Sequence, residues 1–299
     1  MKLHQLKYIL EVADSRSISE AAKRLFISQP SLTAAIKELE DEIDLKIFNR
    51  TNRGVDITNE GEEFLGYARQ VMEQMRLLED KYIGGENRRI LFSVSSQHYS
   101  FAINAFVDLI KEFQEKSYDF TLRETQTYEI IEDVSLLKSE VGILYTCSKN
   151  EEIIGKLIDK YGLDIKELFT VHPHVFINSS HPLARRKSLS LEDMDDYPYL
   201  SYEQGANNSF YFSEEILSYI PRPKNIKVRD RATLFNLLIG LDGYTVSTGV
   251  MSKELNGENI ISIPLEVDEY IKICVVTKKN INLSRFATRY IELVKQYVK

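Results

Sequence analysis

Residues 17–36 read Ser-Ile-Ser-Glu-Ala-Ala-Lys-Arg-Leu-Phe-Ile-Ser-Gln-Pro-Ser-Leu-Thr-Ala-Ala-Ile, and they leave room for little besides two short helices crossing at a tight turn. Ser17 stands three residues before Glu20, the spacing of a capping box, so a helix can start there. Ala21, Ala22 and Leu25 share one face, and the two alanines let a second helix cross closely. Ser28 is a second N-cap, with Pro30 in the first turn where a missing N–H costs little. In the helix that follows, Leu32, Ile36, Leu39 and Ile43 recur at steps of four, three and four and form an inward stripe. Gln29, Thr33, Ala34 and Lys37 fall on the opposite face, with Ser31 near its N-terminal edge. Those side chains can meet base edges or phosphates, and a helix N-terminus favours phosphate oxygens. No acidic residue occurs from Ala21 to Lys37. An ordinary pair of packed helices with a polar outer face would read the same way.

The next segment narrows the choice. Two alternating stretches, 47–50 and 55–58, flank Thr51-Asn52-Arg53-Gly54, a hairpin signal with glycine at a turn position. Such a hairpin, carrying Arg50 and Arg53, is a wing placed to touch the DNA backbone. A long helix follows from 58 or 59, in which Phe64, Ala68, Val71, Met75, Leu78 and Tyr82 repeat with heptad spacing. The stripe either lies on its own domain or pairs two copies; pairing suits the DNA reading, since two-fold proteins read two half-sites. Gly84-Gly85-Glu86-Asn87 closes this helix as a short flexible linker.

A net charge of −7 and a pI near 5.5 sit oddly with a nucleic-acid binder until the acids are located. Glu38, Glu40, Asp41, Glu42 and Asp44 follow the reading helix, which leaves Lys37, Arg50 and Arg53 on the contact surface. The expectation is modest non-specific affinity that falls with salt. At 299 residues, 43% of them hydrophobic, the chain suffices for two or three domains with real cores. No window approaches a membrane span, and Lys7, Glu11 and Asp14 interrupt any signal-peptide core, so a cytoplasmic protein with no membrane partner is expected. The two cysteines, Cys147 and Cys274, have no metal-ligand spacing and fit a reducing compartment.

Beyond the linker, strands alternate with helices. Strands are expected at 90–94, 120–123, 141–145, 171–177, 244–247 and 271–276, and helices at 101–113, 128–137, 209–217, 232–239 and 284–298. Such βαβ units give parallel sheets with ligand sites at the carboxyl ends of strands. The expected fold class is therefore α/β, with a helix-rich winged helix-turn-helix at the N-terminus. The expected boundaries are 1–58 for the winged domain, 59–83 for the dimerisation helix and 84–88 for a hinge. An effector domain follows at 89–299, with one lobe of 89–163 and 267–299 and a second of 164–266. Two α/β lobes joined by two crossings form a cleft of the periplasmic-binding-protein type.

Ser95, Ser96 and Gln97 are expected where the first strand meets a helix N-terminus, a place for an anion or carboxylate. Thr125-Gln126-Thr127 and Thr146-Cys147 end the next two strands. Tyr202 and Gln204 of one loop and Thr248 of another can close over a ligand from the second lobe. Single residues of this kind often only cap helices and turns. The set points to a small zwitterionic or anionic effector, because an apolar one would want a drier cavity.

Residues 1–83 resemble the N-terminal domain of LysR-type transcriptional regulators. The matching words are Leu6-Lys7-Tyr8-Ile9, Ser19-Glu20-Ala21-Ala22-Lys23-Arg24-Leu25, Ile27-Ser28-Gln29-Pro30-Ser31-Leu32, and Phe48-Asn49-Arg50 through Thr58 and Gly61. That family often carries larger polar residues where this chain has Ala34 and Ala35. Residues 88–299 resemble its effector domain, with His181-Pro182-Leu183-Ala184-Arg185-Arg186 and Ser190-Leu191-Glu192-Asp193-Met194 as a frequent phrase. The resemblance implies double-stranded promoter DNA, a small-molecule effector, a homodimer or homotetramer and RNA polymerase as partners. It implies no cofactor beyond that co-inducer. Residues 92–99, 201–205 and 242–245 further resemble a streptococcal-type subgroup linked to methionine and cysteine uptake or synthesis, and in some members to capsule and surface adaptation. Ser96, Gln97 and Thr146 fall where sulfur-assimilation members hold an anionic ligand.

Other chemistry has weaker footing. His172 and His174 alternate on a strand and could share a metal, but no further ligand stands at a suitable spacing, and a packed or surface pair fits as well. Cys147 could sense oxidants, although no resolving cysteine is near. No nucleophile elbow, phosphate loop or organised triad is present, so an enzyme is not expected. The alternatives kept are a regulator of surface, capsule or stress genes with a different effector, and a solute-binding module without DNA function.

Overall fold

The computed structural model describes residues 1–51, 54–82, 90–115, 117–250 and 258–297, with the side chains of residues 50, 51, 77 and 80–82 outside that description. Arg53 and the expected hinge at 84–88 lie outside the described residues. The chain divides into two compact units, Met1–Arg88 and Arg89–Lys299.

The first unit runs α1 (Leu3–Ser15), α2 (Ile18–Arg24), α3 (Gln29–Ile43), β1 (Phe48–Thr51), β2 (Gly54–Ile57) and α4 (Asn59–Tyr82). Both serine caps form: Ser17 Oγ accepts the Glu20 N–H and Ser28 Oγ accepts the Ser31 N–H. Leu32 and Leu39 are fully buried and Ile36 nearly so, packed with Ile9, Val12, Ala21 and Ala22. β1 and β2 pair antiparallel from Phe48 opposite Ile57 to Thr51 opposite Gly54. Gly54, at φ +136°, meets the Arg16 carbonyl so closely that a Cβ would lie 2.6 Å from that oxygen. This contact seats the wing on the end of α1, where the Val55 N–H also donates to Arg16 O at 3.0 Å.

Thr58 fixes the start of α4. Its Oγ1 donates to Lys46 O at 2.6 Å and accepts the Gly61 N–H at 2.8 Å. The heptad expectation needs a correction here. Ala68 is 3% exposed and Phe64 packs beside it in the core of this same unit, so these two belong to the fold of their own domain. Val71 and Leu78 stay exposed and Met75 is partly so; the side chain of Tyr82 lies outside the described residues. A stripe along a long helix does not record where its cover changes from the chain itself to something else.

The second unit is built on a five-stranded sheet in the order β4-β3-β5-β12-β6, comprising β3 (Ile90–Ser96), β4 (Tyr118–Glu124), β5 (Val141–Thr146), β6 (Leu163–Val171) and β12 (Ile271–Lys278). β3 pairs parallel with β4 and β5, whereas β12 runs antiparallel to β5 and β6. Helices α5 (Ser100–Phe113), α6 (Thr127–Ser135), α7 (Glu151–Lys160) and α9 (Arg285–Gln296) accompany it. Phe92, Phe101, Phe106, Phe286 and Tyr290 make up much of the core. The second lobe holds β7 (His174–Asn178) between β10 (Thr245–Ser247) and β11 (Ile260–Pro264). It also carries the parallel pair β8 (Tyr199–Tyr202) and β9 (Asn225–Val228), and α8 (Arg231–Gly240).

Three expectations change. The single strand expected across 171–177 is two, β6 and β7, broken at Pro173, and β6 pairs along its length with β12. Residues 164–171 therefore belong to the first lobe, and the crossing comes after Val171. The helix expected at 209–217 does not form among the described residues: Phe210–Phe212 is one 3-10 turn, and Glu214, Glu215, Ile216 and Leu217 are all buried in succession. Four consecutive buried residues are incompatible with a one-faced surface helix. Finally, β3 continues through Ser95 and Ser96, which pair with Arg123 and Glu124 of β4.

Candidate functional site

Two surfaces matter, one on each unit. On the first, α3 presents Ser28, Gln29, Pro30, Ser31, Ala34 and Lys37 fully exposed, with Thr33 half-buried. Ser28 and Ser31 hydroxyls lie 2.7 Å apart, so the helix begins with its amide donors and two hydroxyls at one tip. That tip suits a phosphate oxygen. Arg50 stands on β1, though its side chain lies outside the described residues. Of the acids along the second half of α3, Glu38 accepts from Gln5, Glu42 pairs with the amino terminus, and Glu40 turns inward to hold the wing.

On the second unit, the segment after β8 runs between the lobes and connects them. Gln204 Oε1 accepts the Thr127 N–H at 3.1 Å, and Gln204 Nε2 donates to Glu214 at 3.2 Å. Thr127 Oγ1 donates to the Phe212 carbonyl at 2.7 Å, and Asn150 donates to the Tyr211 carbonyl. Glu214 accepts both the His98 N–H at 2.9 Å and, at 2.8 Å, the His98 Nδ1. The His98 ring stacks on Tyr202 with centroids 3.9 Å apart. Arg231 of α8 reaches Ser100 and Glu124 in the first lobe. Burial works to lower the pKa of His98, but the hydrogen bond and charge of Glu214 outweigh it and raise the value above that of a free imidazole.

Beside this latch lies a small, partly open cavity; the space between its walls, open solvent included, is about 450 Å³. His98, Tyr202, Glu214 and Glu215 supply its polar lining, and Phe176, Leu234, Phe235 and Val246 its apolar side.

The expected effector residues distribute unevenly around it. Ser95 is fully buried, donating to Asp133 at 2.7 Å and paired with Ser139 at 2.8 Å. Ser96 donates to the Gln97 carbonyl, while Gln97 binds Thr127, Tyr99 and the Tyr145 N–H. These three residues knit the first lobe together and have no exposed surface. Thr125 bonds Glu129, Thr146 lies 3.5 Å from Cys274 Sγ, and Thr248 caps Val250. Gln126 packs on Gly205, where a Cβ would come within 2.8 Å of its Oε1. Tyr202 and Gln204 do reach the cleft. Sequence reasoning missed His98, Glu214, Glu215, Glu124 and Arg231. Its one available signal was an acidic pair, Glu214-Glu215, set between Phe210-Tyr211-Phe212 and Ile216-Leu217.

Just before α5, near where a ligand anion was expected, the chain supplies a carboxylate of its own: Glu214 accepts the His98 N–H. Burial pushes the Cys147 thiol up, which argues against a reactive thiolate. His174 Nδ1 lies 2.9 Å from the His172 carbonyl, and among the described residues no group of three or more metal-ligating side chains forms. Among the described residues no helix is long and apolar enough to cross a membrane.

Residues 3–62 match the family model for bacterial regulatory helix-turn-helix proteins of the lysR family, and residues 94–299 match the LysR substrate binding domain. The chain is 26% identical over 260 residues to the HTH-type transcriptional regulator AlsR of Bacillus subtilis, spanning 84% of this chain and 78% of that protein. It is 26% identical to the HTH-type transcriptional regulator CysB of Haemophilus influenzae over 69% of this chain and 62% of that one, so the match spans less than two thirds of that relative. Full-length OxyR from Pseudomonas aeruginosa superposes with a TM-score of 0.66 at 19% identity, covering 100% of this chain and 94% of that one, which shows a shared fold. With a winged helix-turn-helix at one end and a two-lobed ligand-binding fold at the other, the chain belongs to the LysR family of DNA-binding transcriptional regulators.

Proposed function

We propose that this regulator is a cytoplasmic, ligand-gated homodimer or homotetramer controlling genes of sulfur amino-acid uptake or metabolism. The reading rests above all on the polar latch between the lobes, Thr127–Gln204–Glu214–His98, which borders a small, partly open cavity. A ligand shifts an equilibrium only through differential affinity for its two states, and contacts that span the lobes supply that difference. Promoter DNA is read by Gln29, Ser31, Thr33 and Lys37, with Ser28, Pro30, Arg50 and Arg53 on the backbone. Val71, Met75, Leu78 and Tyr82 pair the long helices, residues 84–88 act as the hinge, and RNA polymerase is the downstream partner. The resemblance of residues 92–99 and 201–205 to the methionine and cysteine subgroup, together with the similarity to CysB, supports the pathway.

Gln29→Ala is expected to remove about 1–3 kcal/mol of discrimination between operator and random duplex while leaving ligand binding intact. Fluorescence anisotropy across about 50 to 200 mM salt checks this, since non-specific affinity falls steeply there. Equal binding of promoter and random DNA by the unmodified protein would sink the sequence-reading role of α3. Calorimetric titration with methionine, homocysteine, homoserine esters, O-acetylserine and sulfate tests the pathway; heat from none of them would remove it.

A further inference from the structure

Glu215 is 2% exposed and lines the inter-lobe cavity. Its Oε1 accepts the Tyr202 N–H at 2.9 Å, while its buried Oε2 has no hydrogen-bond partner among the described residues. The charged groups around it have partners of their own, although the buried Arg231 Nε is left without one among the described residues. Glu214 is paired with His98, Glu124 with Arg231, and exposed Lys227 donates to Asn208. Glu214 and Glu215 thus face the cavity against one imidazolium, His98, and one carboxylate is left over. An uncompensated buried carboxylate is costly, so it either holds a proton or takes a cation. Burial first, and then the charge of Glu214, push the Glu215 carboxyl well above the usual range. An anionic ligand would lie beside the Glu214 carboxylate and keep Glu215 protonated, and the nearby His98 N–H already donates to Glu214.

We propose that the cleft selects a ligand bearing a protonated amine, held by Glu215 Oε2, with an apolar body against Phe176, Leu234, Phe235 and Val246. This rests on the cleft being the effector site and names the chemistry it takes. A zwitterion fits if its ammonium faces Glu215 and its carboxylate points to the solvent side. A simple anion does not fit. Because a cation needs Glu215 ionised, binding expels the proton that the free protein holds there, and affinity rises as pH rises. The groups around Glu215 that shape this dependence are Glu214, the Tyr202 N–H and side chain, the buried Tyr199, Tyr145 and Tyr99, and Lys227.

Calorimetric titration of the full chain with methionine methyl ester, methionine, desaminomethionine and sulfate tests the assignment. The ester and methionine are expected to bind, methionine tightening from about pH 5 to about pH 8 and the ester only while its own, less basic amine stays protonated. Desaminomethionine, the same chain without its amino group, and sulfate are expected to bind at least about tenfold more weakly. Glu215→Gln should weaken the ester by about tenfold or more with its circular dichroism unchanged. Should that variant not fold, the probe order and the pH dependence in the unmodified protein decide. Tighter binding of desaminomethionine or sulfate, an unchanged ester affinity in a folded Glu215→Gln variant, or no binding of either amine overturns the proposal. Promoter binding measured in the same samples separates that failure from failure of the regulator reading, since DNA binding persists in the first case.

Discussion

Replacing Glu40 with alanine is expected to destabilise the N-terminal unit by about 2–6 kcal/mol and to release its wing. Glu40 stands at the end of α3, where the charge pattern placed it among solvated acids, yet it is 6% exposed. Its Oε1 accepts the backbone N–H groups of Ile47 at 2.8 Å and Phe48 at 3.1 Å, and its Oε2 accepts from Lys46 at 2.7 Å. Each buried donor left without a partner costs about 1–3 kcal/mol, and alanine orphans two of them. The Lys46 contribution is small because that side chain is two-thirds exposed. Glu40→Gln keeps one carbonyl acceptor and should lose less. Urea unfolding of the full chain, followed through the transition of the first unit, measures the difference. A loss below about 1 kcal/mol would show that water replaces the carboxylate and that the wing stands without it. The functional consequence reaches the DNA surface: the side chain that closes the reading helix also sets where Phe48 enters the wing, so weaker promoter binding should accompany the lost stability.

The same residue shows why some of this molecule was legible in its sequence and some was not. Serine caps, the Leu32-Ile36-Leu39 stripe and the glycine of the wing are local signals, each written in a spacing of a few residues even where what it packs against is distant. Glu40 answers to donors seven and eight residues away, and nothing in its neighbours distinguishes it from Glu38 or Asp41. The cleft repeats the pattern at longer range. Ser95 and Ser96 look like a strand end, but parallel pairing with β4 and β5 carries the strand past them and buries both hydroxyls. Tyr202 and Gln204 could be placed between the lobes because a polar loop after a strand end is itself a local feature. Glu214 and Glu215 were lost because the segment carrying them lacks a period, and their partners Tyr202 and His98 lie 13 and 116 residues away.

Cutting the latch at Glu214 should have the largest effect on the effector unit. His98 and Glu214 side chains are 6% and 3% exposed, and the carboxylate also accepts from Gln204. Removing one partner of a buried charged pair costs about 3–5 kcal/mol, mostly as the penalty of the charge left behind. Glu214→Ala should therefore lower the transition of the second unit by that amount, with Glu214→Gln intermediate because an amide oxygen can still accept the His98 N–H. The pH dependence identifies the cause. The folded His98 value lies above that of free imidazole, so its stabilisation is full below about pH 6.5 and fades as pH rises through the folded value. Glu215, whose carboxyl is raised by burial, acts in the same direction: the folded state favours its protonated form, and stability is lost as pH climbs through that raised value. The unmodified effector unit should thus weaken from mildly acid to neutral pH. Glu214→Gln should weaken less steeply, since both shifts draw on the Glu214 charge, and Glu214→Gln paired with Glu215→Gln should lose the decline or reverse it, since burial alone lowers the His98 value. Scanning calorimetry at several pH values reads all three proteins. Parallel pH profiles would mean that the lobes are held by their neutral hydrogen bonds and that the cleft carries no charge-dependent latch.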